Sequence, residues 1–175
     1  TKVNFKIKKI SKDTFNYPRG MTFLDSENLL ITEKNGGLLK FNVKSGIKTK
    51  LNHQIPIIKS NSGQGGLLDV FAHTDGNIYF TYSHDFKDIK AGTKKSNNSS
   101  TAIARGKLLK NRIEDFEILL IAKPKLKINK HWGARIAIKD DLLYVGFGER
   151  DKGMIAQDPQ KHPGSIIRIK TDGSL

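Results

Sequence analysis

The sequence has no cysteine, a single tryptophan (Trp132) and no long apolar run. The absence of cysteine excludes disulfide bonds and thiolate metal sites. The longest apolar stretch, residues 118–122, has the length of a strand, whereas a membrane-spanning helix needs about 18 apolar residues. The N-terminal residues also lack the apolar core of a signal peptide. We therefore expect a globular protein with no membrane span and no signal peptide within this chain.

Arginine is also scarce, although the chain is strongly basic. The formal net charge is +14, and 25 of the 31 basic residues are lysines. Such a charge raises the possibility of nucleic-acid binding, because neutralising phosphates releases counterions. However, the lysines are spread from Lys2 to Lys170, and no basic run alternates with aromatic residues that could stack on bases. We predict a lysine-rich, solvated surface and no nucleic-acid partner, and a steep loss of affinity with salt would instead support one.

Helical periodicity is nearly absent, and short apolar runs alternate with Gly, Asn and Asp turns. Residues 29–32 and 38–43 are predicted to form a hairpin around Asn35-Gly36, because Asn-Gly readily takes the positive φ angles of tight turns. Further strands are predicted at residues 67–72, 77–82, 101–108, 116–121, 135–138, 142–146 and 166–170.

These strands fall into three units with approximate bounds 15–58, 64–122 and 131–175. Antiparallel units that recur with a period of about 45 to 60 residues are typical of propeller blades. We therefore predict an all-β fold, a single partial β-propeller domain built of four-stranded antiparallel blades. The polar stretch 83–100 is rich in Lys, Asn, Ser and Gly, so we expect a long exposed loop there, inside the second blade.

Four short segments follow one another in a distinctive order. They are Gln64–Val70, His131–Arg135, Gly146–Arg150, and Ala156–Pro159 continuing into Gly164–Ile169. Jointly they resemble the N-terminal half of the soluble PQQ-dependent aldose or glucose dehydrogenases, the quinoprotein sugar dehydrogenase family. Residues 15–34 also resemble that family's opening blade, although Tyr17, Arg19 and Lys34 depart from its pattern. The resemblance implies a six-bladed propeller, of which this chain supplies about three blades.

The resemblance also implies catalytic roles for His131 and Glu149 and a cofactor-binding role for Gln64. His131 is the general base that takes the proton of the sugar's C1 hydroxyl while hydride passes to C5 of PQQ. Glu149 is the carboxylate that pairs with this histidine, and Gln64 reaches the quinone or the substrate from a glycine-flanked turn. From the residues alone, other interpretations stay open: a structural histidine, a surface glutamate paired with a basic neighbour, and an ordinary polar turn residue. The other histidines show no metal-ligand spacing, so no metal ligand is predicted.

PQQ and calcium are the implied cofactors. The family's paired Arg and Asn that grip the PQQ carboxylates, and its calcium ligands, come from later blades, so we expect them outside this chain. Asp69 and Arg135 are expected to be structural. The implied reaction oxidises an aldose to its lactone and passes electrons to an external acceptor, in a periplasmic or secreted protein.

Three blades leave sheet faces and edges uncovered, and such surfaces favour association. We therefore expect either completion by a C-terminal half or a homodimer. The alternative function belongs to a different class: a non-catalytic propeller-type binding or assembly module that keeps the blade motifs for their turns.

Overall fold

A computed structural model of the chain describes residues 3–11, 13–57, 63–85 and 98–175. The first sheet contains β1 (Pro18–Phe23), β2 (Asn28–Glu33), β3 (Leu38–Asn42) and β4 (Lys48–Lys50), in that order. The second contains β5 (Leu67–Ala72), β6 (Asn77–Asp85), β7 (Ser99–Leu109) and β8 (Arg112–Ile121), again in chain order. The third contains β9 (Gly133–Lys139), β10 (Leu142–Phe147) and β11 (Ile166–Lys170), and a 3₁₀ helix, Gly153–Gln157, precedes β11.

Every strand pair in these sheets is antiparallel. The predicted all-β fold is therefore confirmed: among the described residues two sheets have four strands, and the third has three. The bounds predicted for the three units stay a prediction. No helix in the part of the chain that the structure describes has the length and apolar character needed to cross a membrane.

Strand β6 connects two hydrophobic cores because its side chains alternate between the faces of the second sheet. Phe80 and Tyr82 pack with Leu30 of the first sheet, whereas Tyr79 packs with Leu143 of the third. All five side chains are fully buried. The second sheet is thus covered on both faces, and its two neighbours are held in fixed positions relative to it.

The first strands of the three sheets lie side by side, since β5 contacts both β1 and β9. A buried threonine on the second strand of a sheet reinforces each of these contacts. Thr32 Oγ1 donates to Leu68 O at 2.8 Å, and Thr81 Oγ1 donates to Ala134 O at 2.7 Å. We call the first strands of the three sheets, β1, β5 and β9, the inner strands. The two threonine bonds join β2 to β5 and β6 to β9, so they fix the inner strands from which the candidate site is built.

Two local predictions need correction. In the turn between β2 and β3, only Gly36 takes a positive φ, of 91°, and its N–H donates to Glu33 O at 2.9 Å. This is a type I turn followed by a left-handed glycine, which is another common hairpin connection; Asn35 does not take the positive φ that was predicted.

The second correction concerns the predicted exposed loop at residues 83–100. Ser83 ends up in β6 and Ser100 in β7, and both are buried. Their hydroxyls satisfy neighbouring backbone groups: Ser83 Oγ accepts from Gly66 N at 2.6 Å, and Ser100 Oγ donates to Ala122 O. Small polar side chains can be buried when they are bonded in this way, so the polar composition misled the prediction at both ends. Residues 86–97 lie outside the described residues.

Candidate active site

His131 lies in the short segment that enters β9, at one end of the inner strands. Its backbone has a φ of 46°, in the left-handed region that side chains other than glycine seldom occupy. Its N–H donates to Gln64 Oε1 at 2.8 Å. Since Gln64 precedes β5, this bond joins the entrances of two neighbouring inner strands. The structure thus brings together two of the three predicted site residues, although they are far apart in sequence.

Glu149, which follows β10, completes the group. Its Oε1 lies 2.5 Å from His131 Nδ1, and the two side chains are 31% and 42% exposed respectively. The hydrogen bond with His131 lowers the pKa of Glu149 from its ordinary value. The carboxylate is therefore ionised at neutral pH and favours the tautomer in which Nδ1 carries the proton. Nε2 is then the nitrogen with a free lone pair, and no described residue forms a hydrogen bond with it.

Gln64 is held more firmly than an ordinary turn residue. Besides accepting from His131, it donates its backbone N–H to Asn129 O at 2.9 Å. The next residue, Gly65, donates to Asn129 Oδ1 at 3.1 Å. The amide oxygen of Gln64 is thus engaged with the His131 backbone, while the NH₂ half of the amide keeps its donors for a ligand. A contact with cofactor or substrate stays a prediction.

Close backbone packing around His131 depends on Gly148. A Cβ built on Gly148 would lie 2.1 Å from His131 O. The Gly148 N–H also donates to Trp132 O at 3.2 Å. Because only a hydrogen fits between these backbones, the segment carrying Glu149 can pass directly beside the segment carrying His131.

Arg150 was not predicted as a functional residue, yet it is one of the most enclosed side chains near His131. It is 2% exposed, and its guanidinium stacks on Trp132, with Cζ 3.5 Å from the ring centroid. Burial lowers its pKa to about 10, so it is still charged at neutral pH. The sequence signal was weak: an arginine beside the predicted carboxylate looks like a surface partner for it.

Asp69 and Arg135 connect the inner strands β5 and β9 to each other. Asp69 is 5% exposed; its Oδ2 accepts from Ile136 N at 2.8 Å and its Oδ1 from Arg135 Nη1 at 2.9 Å. Burial raises the pKa of Asp69. The carboxylate thus ties β5 to β9, a structural position that agrees with the sequence-based expectation.

A cavity of about 430 Å³ lies against these inner strands. Its lining includes Arg19 from β1, Asp69 from β5, Arg135 from β9 and Gly148 next to Glu149. Because Asp69 and Arg135 are paired with each other, it is Arg19 that gives the cavity a net positive character. The cavity therefore suits an anionic or strongly polar ligand.

Asp151 brings a second carboxylate to the same place. The ligand atoms of His131, Glu149 and Asp151 lie within 4.8 Å of one another, a composition compatible with a metal site. Each carboxylate already has another partner, since Asp151 Oδ2 lies 3.6 Å from Lys130 Nζ and Glu149 is bonded to His131. These partners explain the positions of both side chains, and the prediction of no metal ligand stays untested.

Comparison with known proteins identifies related sugar dehydrogenases. A family model for glucose/sorbosone dehydrogenases matches residues 15–175. The aldose sugar dehydrogenase YliI of Escherichia coli is 29% identical in an alignment of 175 positions, which covers 95% of this chain and 44% of that protein. The chain therefore spans less than half the length of this relative.

Solved structures show the same relationship. The apo-form crystal structure of the soluble aldose sugar dehydrogenase of Escherichia coli matches with a TM-score of 0.82 and 26% identity, over 95% of this chain and 48% of that one. The aldose sugar dehydrogenase of Streptomyces coelicolor in its PQQ-bound form matches with a TM-score of 0.73 and 24% identity, over the same shares. With these matches the predicted β-propeller architecture, present here in part, is confirmed.

Proposed function

The chain belongs to the glucose/sorbosone dehydrogenase family, and from that membership we propose that the full-length protein is a PQQ-dependent dehydrogenase that oxidises an aldose to its lactone. The observation that carries this proposal is the contact between His131 and Glu149, steadied by Gln64. It places a carboxylate-oriented imidazole at the entrance of an inner strand, beside a positively charged cavity.

The residues present fit PQQ by their chemistry. PQQ is a quinone that carries carboxylates, and Arg19 lines the cavity beside the site without a carboxylate partner among the described ion pairs. Arg19 would hold a negative group of the cofactor, and the NH₂ half of the Gln64 amide can donate to a quinone or substrate oxygen. When bound, PQQ would supply the carbon that accepts the hydride. Support for PQQ also comes from the Streptomyces coelicolor relative, whose structure contains it.

His131 would act as the general base. Its Nε2 accepts the proton of the C1 hydroxyl while the C1–H bond breaks, so that C1 and its oxygen form the carbonyl of the lactone. The ring becomes positively charged in this step, and Glu149 stabilises that charge across the bond to Nδ1. Gln64 holds the His131 backbone and so limits rotation of the segment that carries the imidazole.

Several finer points remain predictions. These are calcium, with ligands expected outside this chain, the identity of the sugar and of the electron acceptor, the periplasmic or secreted location, and either a homodimer or a C-terminal half. The non-catalytic binding module is the alternative that the activity test must separate from the enzyme.

Dye reduction by the purified full-length protein tests the proposed function directly. The protein is incubated with PQQ and calcium, and reduction of an artificial acceptor is followed with a panel of aldoses. We expect turnover that needs both PQQ and sugar, with the lactone identified by mass spectrometry. A folded protein that binds PQQ and yet reduces no dye with any aldose would favour the non-catalytic alternative.

Replacing Glu149 by glutamine should lower kcat by roughly 10- to 100-fold, because the imidazolium formed in the reaction loses its carboxylate partner. The pKa of Glu149 is held below its ordinary value of 4.5, so the wild-type carboxylate is already ionised at pH 5. The loss should therefore be visible at pH 5 as well as at pH 7, in steady-state rates measured at both. Glu114→Gln, which alters an exposed ion pair on β8, is the matched control, and equal kcat values for Glu149→Gln and Glu114→Gln would contradict this role.

A further inference from the structure

We propose that Arg150 is a positioning residue for His131, which fixes the segment that carries the imidazole; the inference rests on the proposed role of His131. Arg150 is the residue directly after Glu149 in the chain. Its side chain is buried in the protein and is 2% exposed. It can therefore act on the reaction only through its effect on its neighbours.

The guanidinium of Arg150 forms hydrogen bonds with the backbone of the residues immediately before His131. Nε donates to Lys130 O at 3.0 Å, and Nη2 donates to Ile128 O. On the other side Nη1 and Nη2 donate to Ser99 O and Oγ at 3.3 and 3.1 Å. Ser99 begins β7 of the second sheet, so the bonds anchor the incoming segment of the third sheet to its rigid neighbour.

The residues after His131 are held by the same side chain. Trp132 is 2% exposed and lies under the guanidinium, at 3.5 Å from its ring centroid to Cζ, a cation–π contact. The Arg150 N–H also donates to His131 O at 3.3 Å. His131 and Arg150 have φ values of 46° and 58°. Such conformations need support from the surrounding structure, and Arg150 supplies it at both points.

The charge of Arg150 is unusual for a purely structural role. No carboxylate among the described residues forms an ion pair with it, and all of its hydrogen-bond acceptors are backbone carbonyls or one hydroxyl. A buried cation is costly to desolvate, and an apolar side chain often stabilises a fold as well or better. An apolar residue, however, cannot donate hydrogen bonds. The planar guanidinium donates to several carbonyl oxygens at once and so fixes their relative positions.

The test uses Arg150→Met and Arg150→Lys in the full-length protein. Methionine keeps the length and apolar stem but donates no hydrogen bond, whereas lysine keeps the charge and part of the donor capacity. Arg112→Met, at a half-exposed arginine on β8, controls for loss of an arginine. Leu143→Ala, in the core between the second and third sheets, controls for lost stability at a site remote from His131.

Two measurements are made on each variant. The first is the pair of ¹⁵N shifts of the His131 imidazole, which report its tautomer without any cofactor. The second is kcat and KM for sugar oxidation. For Arg150→Met we expect averaged tautomer shifts and a kcat lowered by roughly 10- to 100-fold, since misplacement by about 1 Å can cost that much. KM should change much less, and Arg150→Lys should recover part of both effects.

Wild-type imidazole shifts in Arg150→Met would overturn the proposal, as would identical shift changes in Leu143→Ala, which would attribute the effect to stability alone. If Arg150→Met does not fold, Arg150→Lys carries the same comparison. The imidazole shifts also separate this proposal from the proposed function. If the wild-type protein reduces no dye with any aldose while Arg150→Met still shows averaged tautomer shifts, the proposed function fails and the positioning of the imidazole by Arg150 stands.

Discussion

Replacing His131 by alanine is expected to lower kcat for aldose oxidation by about 10²- to 10⁴-fold, the usual contribution of a positioned general base. The Nδ1 atom of this imidazole is bonded to Glu149 at 2.5 Å, which leaves Nε2 free to accept the proton. Removal of the imidazole leaves proton transfer to water. The measurement is steady-state dye reduction by the full-length protein with saturating PQQ and sugar.

Folding is not expected to suffer in this variant, because the His131 side chain is 42% exposed and the backbone bond to Gln64 is unaffected by the substitution. Circular dichroism and thermal unfolding check this point. His73→Ala is the matched control. His73 directly follows β5, whereas Gln64 precedes that strand, so the His73→Ala variant should keep kcat within about twofold of wild type. If His131→Ala also kept full turnover, His131 would have no part in the mechanism.

The strands could be predicted from the sequence because their causes are local. Alternating apolar residues and turn signals depend on neighbours within a few positions, and strands such as β5 and β10 were found where these patterns occur. The buried ends of β6 and β7 were missed, because the burial of Ser83 and Ser100 depends on backbone partners distant in sequence. A polar composition cannot reveal that such partners exist.

The candidate site divides in the same way. Gln64, His131 and Glu149 were proposed from the resemblance, and the structure places them in contact, although their catalytic roles stay untested. Arg150 was missed because its partners are carbonyl oxygens, which every residue possesses and which no motif can mark. Its role became visible only when the segment before His131 and the start of β7 were seen together.

Gly148→Ala is expected to destabilise the protein by roughly 3 kcal/mol, at the upper end of what overpacking costs. The new Cβ would lie 2.1 Å from His131 O and 2.6 Å from His131 C. Both are backbone atoms, so no side-chain rotation can relieve the clash, and the His131 segment itself has to move. The loss should appear as a lower Tm of the full-length protein, measured by thermal unfolding.

Gly146→Ala provides the matched control two residues earlier in the chain. A Cβ on Gly146 meets no atom within 4 Å, and neither glycine has a positive φ. The two variants therefore share the same gain in chain stiffness, which by itself is neutral or stabilises by about 0.5 kcal/mol. Any difference in Tm between them measures the contact with His131. Equal melting temperatures would mean that the His131 segment yields freely, and the close packing assigned to Gly148 would then be without consequence for the geometry of the base.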